Sequence, residues 1–128
     1  CTVGGVWTDA SSRSLKEGIE PLPTQLALET LDLLEPVRYR YKAESAATYL
    51  GFIAEDVPQE VASKDRKGLS PMNFVAVLTR VMQQQKGRLD DLETSLAQMA
   101  AGIIQEQQER IASLEAAVAE MKQMLRVE

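Results

Sequence analysis

The stretch from Met72 to Glu128 contains no proline and is rich in Leu, Ala, Glu and Gln, which is typical of a long helix. All five prolines and every aromatic residue lie within the first 74 residues of the 128-residue chain. The composition of the chain therefore changes once along its length. We predict an α+β fold, in which a small mixed head ending near residue 74 is followed by a helical tail over residues 75–128.

Apolar residues in the tail recur at alternating steps of three and four residues. This seam consists of Val75, Leu78, Met82, Gln85, Leu89, Leu92, Leu96, Met99 and Ile103. After Gly102 it shifts by one residue and continues through Ile104, Gln107, Ile111, Leu114, Val118, Met121 and Leu125. Such a heptad pattern predicts a coiled coil, because a narrow apolar stripe on an exposed helix needs a partner helix to cover it.

Two arrangements could bury the seam. In the first, copies of the chain form a parallel oligomer and absorb the one-residue shift at Gly102 as a local change of supercoil. In the second, the helix folds back on itself at residues 100–102. We favour the parallel oligomer, because residues 100–102 include no polar turn-forming side chain. The apolar residues of the seam do not by themselves choose between two strands and three.

The head is predicted to contain a short helix and a β-hairpin. Residues 24–34 form the helix, with Thr24 as its N-cap, and Pro36 ends it. Alternating apolar and basic residues predict one strand over residues 37–42, and residues 48–54 form the second. The small or polar residues 43–47 are expected to form the loop between them.

Composition excludes several classes of function. The chain contains no histidine, which removes Ser-His-Asp and Cys-His catalysis as well as histidine metal sites. Cys1 is its one cysteine, and we predict neither a metal nor a cofactor. A net charge of −5 disfavours nucleic acid as a partner, so we interpret the basic strand face of Arg38, Arg40 and Lys42 as solvated. No uncharged run approaches the roughly 20 residues of a membrane-spanning helix, so no membrane partner is predicted.

Without histidine, the strongest candidate catalytic pair is a hydroxyl near a lysine. Residues 8–17 supply several hydroxyl groups together with Lys16. A lysine acts as a general base only when it is neutral, which requires burial or a neighbouring positive charge such as Arg13. The alternative interpretation is structural, because residues 14–17 also match a capping box at the start of a helix.

Three segments of the head carry a family resemblance. Residues 11–19 read SSRSLKEGI, residues 34–42 read LEPVRYRYK, and residues 51–57 read GFIAEDV. In this order and spacing they resemble the intramolecular chaperone auto-processing domains of phage endosialidase tailspikes, other phage fibres and the myelin regulatory factor. The resemblance extends over residues 8–128, because the family also ends in a helix that runs into a coiled coil.

The resemblance implies a homotrimer that assists assembly of the upstream part of the same polypeptide and then cuts itself off. The family's nucleophilic serine matches Ser11, its lysine matches Lys16, and the scissile bond would be Ala10–Ser11. Residues 1–10 would then end the passenger region, and residues 11–74 would form the auto-processing head. By this analogy neutral Lys16 takes the Ser11 hydroxyl proton, the oxygen attacks the Ala10 carbonyl, and water resolves the acyl intermediate.

The sequence departs from the family pattern at three positions. Ser12 stands where Asp is usual, Gly18 where Asn is usual, and Glu55 where Gln is common. The localisation that the resemblance favours is a phage virion, a prophage fibre or a bacterial surface protein precursor.

Two other functions compete with a self-cleaving chaperone. The chain could be a trimerisation module that stays attached to a fibre protein, with Ser11 as a structural residue only. It could also be a serine-lysine protease that acts on other proteins, although a small head with few aromatic residues offers little material for a substrate cleft.

Overall fold

The structure, a computed structural model, describes residues 10–126. Its elements are a one-turn 3-10 helix (Arg13–Leu15), helix α1 (Thr24–Asp32), strand β1 (Val37–Tyr41), strand β2 (Glu44–Gly51) and helix α2 (Pro71–Arg126). The prediction of an α+β chain with a hairpin, a short helix and a long final helix is confirmed. The chain divides into two units, Cys1–Val81 and Met82–Glu128. Of the predicted passenger segment, residues 1–9 lie outside the described residues.

A small apolar core holds the first unit together. Its buried residues are Ala27, Val57, Val61, Val77 and Val81. Partly buried apolar side chains pack around them, namely Leu22, Leu28, Leu31, Leu34, Phe52, Ala62, Leu69 and Phe74. The Phe52 ring stacks on the Phe74 ring, with their centroids 4.9 Å apart. The core therefore joins α1, the segment after the hairpin and the first turns of α2.

The first turns of α2 carry two apolar stripes. Phe74, Val77 and Val81 face the core and follow steps of three and four residues. The predicted seam begins one residue further along, at Val75 and Leu78, which are exposed. The sequence predicts the exposed stripe, and the buried one escapes prediction because both stripes satisfy the same helical period.

Helix α1 differs from the prediction at its ends. Its N-cap is Pro23, which has φ −60° and ψ 132° and makes no side-chain capping bond. The Pro23 carbonyl accepts the first helical hydrogen bond from the Ala27 amide at 3.1 Å. The prediction of Thr24 as the N-cap is therefore wrong, since Thr24 is already the first helical residue. At the other end, Leu33 and Leu34 donate to carbonyls only three residues earlier, which closes the helix before Pro36.

The predicted hairpin is confirmed, but its loop is shorter than expected. Strands β1 and β2 pair antiparallel, with Tyr41 opposite Glu44, so only two residues separate the strands. The predicted loop over residues 43–47 and the predicted second strand over residues 48–54 are therefore both corrected, because the pairing continues almost to the turn. Strand β2 ends at Gly51, where the Tyr39 ring leaves little room: a Cβ there would lie 3.2 Å from a ring carbon.

Three tyrosines cover one face of the hairpin. The rings of Tyr39, Tyr41 and Tyr49 lie with centroids 5.2 to 5.9 Å apart. Tyr49 donates its hydroxyl proton to Glu44, which raises the pKa of Tyr49. The hydrogen bond with Tyr41 raises the pKa of Tyr39. A two-stranded hairpin is marginal by itself, and this cluster supplies the side-chain contacts that stabilise it.

The segment between the hairpin and α2 is fixed by side chains that bond to backbone carbonyls. Arg66 has a left-handed φ of 58°, and its guanidinium donates to the carbonyls of Glu55 (2.7 Å) and Val57 (2.9 Å). Asn73 at the start of α2 donates to the Glu60 carbonyl at 2.6 Å. These bonds satisfy carbonyls that belong to no regular element and so stabilise the turns around Val57.

In the second unit, α2 continues without interruption through Gly102. The fold-back alternative at residues 100–102 is therefore wrong. The apolar seam side chains of this unit are exposed, from Val118 at 48% to Leu125 at 75%. Among the residues that the structure describes, no helix has a stretch apolar enough for its length to span a membrane.

We expect Val61→Ala to lower the free energy of unfolding by about 2 kcal/mol, because Val61 is fully buried and its truncation leaves a cavity. Leu50 is a matched control: it is larger, but it is 81% exposed on the hairpin. Leu50→Ala should change the stability by no more than about 0.5 kcal/mol. Urea denaturation at one chain concentration measures both, and equal losses would contradict the assigned core.

Candidate active site

The structure brings together the two residues that the sequence analysis selected. The Nζ of Lys16 lies 2.6 Å from the Oγ of Ser11 and donates a hydrogen bond to it. Ala10, the residue on the other side of the predicted scissile bond, is exposed. A nucleophile and its base must lie within hydrogen-bond distance, and this pair meets that requirement.

The proximity depends on the short turn between the two residues. Ser12 is extended, with φ −61° and ψ 141°, and Lys16 is extended again, with φ −127° and ψ 147°. Between them the 3-10 helix shortens the distance along the backbone, so that the Lys16 side chain reaches Ser11. In a continuous α-helix, residues five apart would point in different directions, since only separations of three and four share a face.

The capping-box interpretation of residues 14–17 is wrong. The N-cap of the 3-10 helix is Ser12, and Ser14 lies inside the helix. The helix ends before Lys16, so Glu17 cannot reach back as a third helical residue would. The structural role that the sequence analysis gave to Ser14 therefore falls to Ser12.

Gly18 forms the backbone turn that follows Lys16. It has φ +61°, in the left-handed region that glycine adopts without strain, and no atom lies within 4 Å of the position that a Cβ would take. Asn is the other residue that enters this region readily. Gly18, and the Asn that is usual at this position in the family it resembles, are therefore both suited to this backbone conformation after Lys16.

The site is open to solvent in the single chain. Every residue from 10 to 21 is exposed, and Leu15 is exposed by 70%. The charged neighbours along the same segment are Arg13, Glu17 and Glu20. Within residues 10–126, no group of three or more Cys, Asp or Glu side chains is placed to hold a metal ion.

The first unit also carries an apolar groove of about 510 Å³. It is lined by Leu31, Leu34, Pro36, Phe52, Leu69, Pro71, Phe74 and Leu78. Neither Ser11 nor Lys16 lines it, and none of its lining residues is charged. This groove therefore does not serve as a substrate cleft for the Ser11–Lys16 pair.

The three sequence motifs have different structural roles. The first, residues 11–19, holds the Ser11–Lys16 pair. The second and third contribute the hairpin and core residues such as Phe52 and Val57. The backbone carbonyl of Glu55 accepts a hydrogen bond from Arg66, and the Glu55 side chain is exposed. Glutamine at this position could make the same carbonyl contact.

The family model described as chaperone of endosialidase (Peptidase_S74) matches residues 11–64. The matched range begins at Ser11 and contains all three motifs. The resemblance predicted from the sequence is thus confirmed over these residues. Among curated proteins, none matches the chain.

We expect Gly18→Ala to depopulate the turn after Lys16 by roughly fivefold to tenfold, because a left-handed backbone costs a residue with a Cβ about 1 kcal/mol or more. Gly18→Asn is the matched variant, since Asn tolerates this conformation. NMR chemical shifts of the Lys16–Glu20 backbone measure the population. A native spectrum for Gly18→Ala would contradict the assigned conformation.

Proposed function

Because residues 11–64 match the chaperone of endosialidase family, we propose that this chain is a self-cleaving chaperone that assembles as a homotrimer. In this proposal it assists assembly of the polypeptide that precedes Ser11 and then releases itself at the Ala10–Ser11 bond. The observation that carries the proposal is the 2.6 Å contact between Lys16 Nζ and Ser11 Oγ.

The proposed cleavage proceeds in two steps. First, neutral Lys16 takes the hydroxyl proton of Ser11, and the Ser11 oxygen forms a bond to the carbonyl carbon of Ala10. The C–N bond between Ala10 and Ser11 breaks, and the Ser11 nitrogen takes the proton back from the Lys16 ammonium. Water then hydrolyses the ester, which leaves the Ala10 carboxylate and restores the Ser11 hydroxyl. Each chain reacts once, because it is its own substrate.

Assembly is supported by the exposed seam of the second unit. Side chains such as Leu89, Leu92 and Leu96 are more than half exposed along an apolar stripe with heptad spacing. A helix of this pattern is stabilised when partner helices cover the stripe. Three-stranded assembly follows the family resemblance, since the seam residues do not select the number of strands.

Assembly and cleavage are coupled in this proposal. A lysine amine in water is protonated near neutral pH, and burial is the usual way to favour its neutral form. Within the described part of one chain, residues 10–21 are all exposed. Neighbouring subunits would therefore supply the burial that Lys16 needs, and cleavage would follow assembly.

The exposure of Ser11 and Lys16 favours a second candidate, a trimerisation module that never cuts itself. In that case the 2.6 Å hydrogen bond would only stabilise the turn. Gel electrophoresis of a longer parent polypeptide separates the two functions, because only the self-cleaving chaperone yields a released fragment that begins at Ser11.

We expect intact-mass analysis of the parent to give a new amino terminus at Ser11. Ser11→Ala should abolish the cut, and Lys16→Ala should slow it by roughly 100-fold or more, because the base is lost. Circular dichroism should be unchanged in both variants, since neither residue is buried. The rate should rise with pH, because only an unprotonated amine accepts the Ser11 proton.

Two results would count against this mechanism. One is cleavage of the same bond at an unchanged rate in Lys16→Ala. The other is a rate that stays flat between about pH 5 and about pH 9, where a lysine base must respond to pH.

The coupling predicts that Leu89→Glu with Leu92→Glu gives an uncut monomer, although Ser11 and Lys16 are untouched. Two charges in successive seam layers should cost several kcal/mol per assembly. Gln83→Glu with Thr94→Glu is the matched control, because both positions lie on α2 outside the seam. Analytical ultracentrifugation measures the oligomeric state, and mass analysis measures cleavage. Cleavage at the normal rate in a proven monomer would refute the coupling.

A further inference from the structure

We propose that Ser12 is a positioning residue for the Ser11–Lys16 pair. Its hydroxyl caps the turn that returns Lys16 to Ser11, and it does so without adding charge beside the amine. This inference rests on the proposed self-cleavage, but the cap itself can be measured independently of any cut.

The pair needs a turn between its members. Five residues of extended chain would place the Cα atoms of Ser11 and Lys16 roughly 17 Å apart. The 3-10 helix shortens this separation, because it rises only about 2 Å per residue. The 2.6 Å contact between the two side chains therefore exists only while the Arg13–Leu15 turn is formed.

Few interactions hold this turn. Its backbone contributes two hydrogen bonds, from the Leu15 amide to the Ser12 carbonyl and from the Lys16 amide to the Arg13 carbonyl, both 3.1 Å long. No residue of the turn is buried, so apolar packing adds little to its stability. A side-chain cap therefore contributes a large share of the stability of this turn.

Ser12 supplies that cap. Its Oγ accepts a hydrogen bond from the Ser14 amide at 3.4 Å, and it lies 2.9 Å from the Ser14 hydroxyl. A free amide at the start of a helix is the group that an N-cap oxygen satisfies. The Ser14 hydroxyl contacts Ser12 Oγ, but within residues 10–126 it makes no hydrogen bond to the backbone of the turn, so Ser14→Ala removes a hydroxyl close to the cap and leaves the capping bond to the Ser14 amide in place.

The charge of the cap also matters for the chemistry. A carboxylate at position 12 would accept the same Ser14 amide, but it would place a negative charge near Lys16 and favour the ammonium form. Arg13, Glu17 and Glu20 are the other charged groups along this segment. The neutral Ser12 hydroxyl caps the turn without adding a charge beside the Lys16 amine.

The test compares variants of the full chain carrying its upstream passenger. With Ser12→Ala the chain should cleave itself roughly fivefold more slowly at every pH. This factor corresponds to the loss of one N-cap from the turn. Ser12→Asn should restore the rate, because its side-chain oxygen can cap without charge. Ser12→Asp should reach the restored rate only at a higher pH. Ser14→Ala, the matched control, should stay within about twofold of the unchanged chain.

A second measurement separates this inference from the proposed function. In Ser11→Ala, which cannot cut, the backbone couplings of Arg13 and Leu15 measured by NMR report the helical turn. Adding Ser12→Ala should shift them toward extended values, and adding Ser12→Asn should not. Native couplings with Ser12→Ala, or an equal loss from Ser14→Ala, would overturn the inference. A parent that never cuts would instead overturn the proposed function, while the couplings still test the cap.

Discussion

The packing of the first turns of α2 against the rest of the first unit is the contact on which the head depends. Val77 and Val81 complete a core that α1 and the turns around Val61 cannot close alone. With so few buried side chains, each one contributes a substantial part of the stability. Helix α2 therefore carries both apolar stripes. One stripe packs in the core of the head, and the other is the exposed seam.

The Ser11–Lys16 pair is organised by different forces. It lies on an exposed segment whose geometry comes from one 3-10 turn, the Ser12 cap and the left-handed Gly18. None of these features depends on the apolar core. The head can consequently be stable while residues 10–21 are still exposed to solvent, which is the state from which the proposed assembly would bury them.

The three positions that depart from the family pattern differ in which part of the residue matters. At Gly18 it is the backbone conformation, and at Glu55 it is the carbonyl that Arg66 binds. Ser12 is different, because its side-chain oxygen makes the contact itself. A hydroxyl at that position offers an acceptor to the Ser14 amide without the negative charge that a carboxylate would carry.

The sequence by itself determined the class of fold, the hairpin and the long helix with its exposed seam, and it selected a serine and a lysine that the structure places in contact. These follow from local signals: proline distribution, alternation, heptad spacing and ordered motifs. Only the tertiary structure decided that α2 is continuous through Gly102, that Phe74, Val77 and Val81 face the core, and that Ser12 rather than Ser14 is the cap. The physical reason is that neighbouring apolar stripes have the same helical period and neighbouring serines have the same side chain. Their roles therefore depend on which residues each side chain contacts in the folded structure.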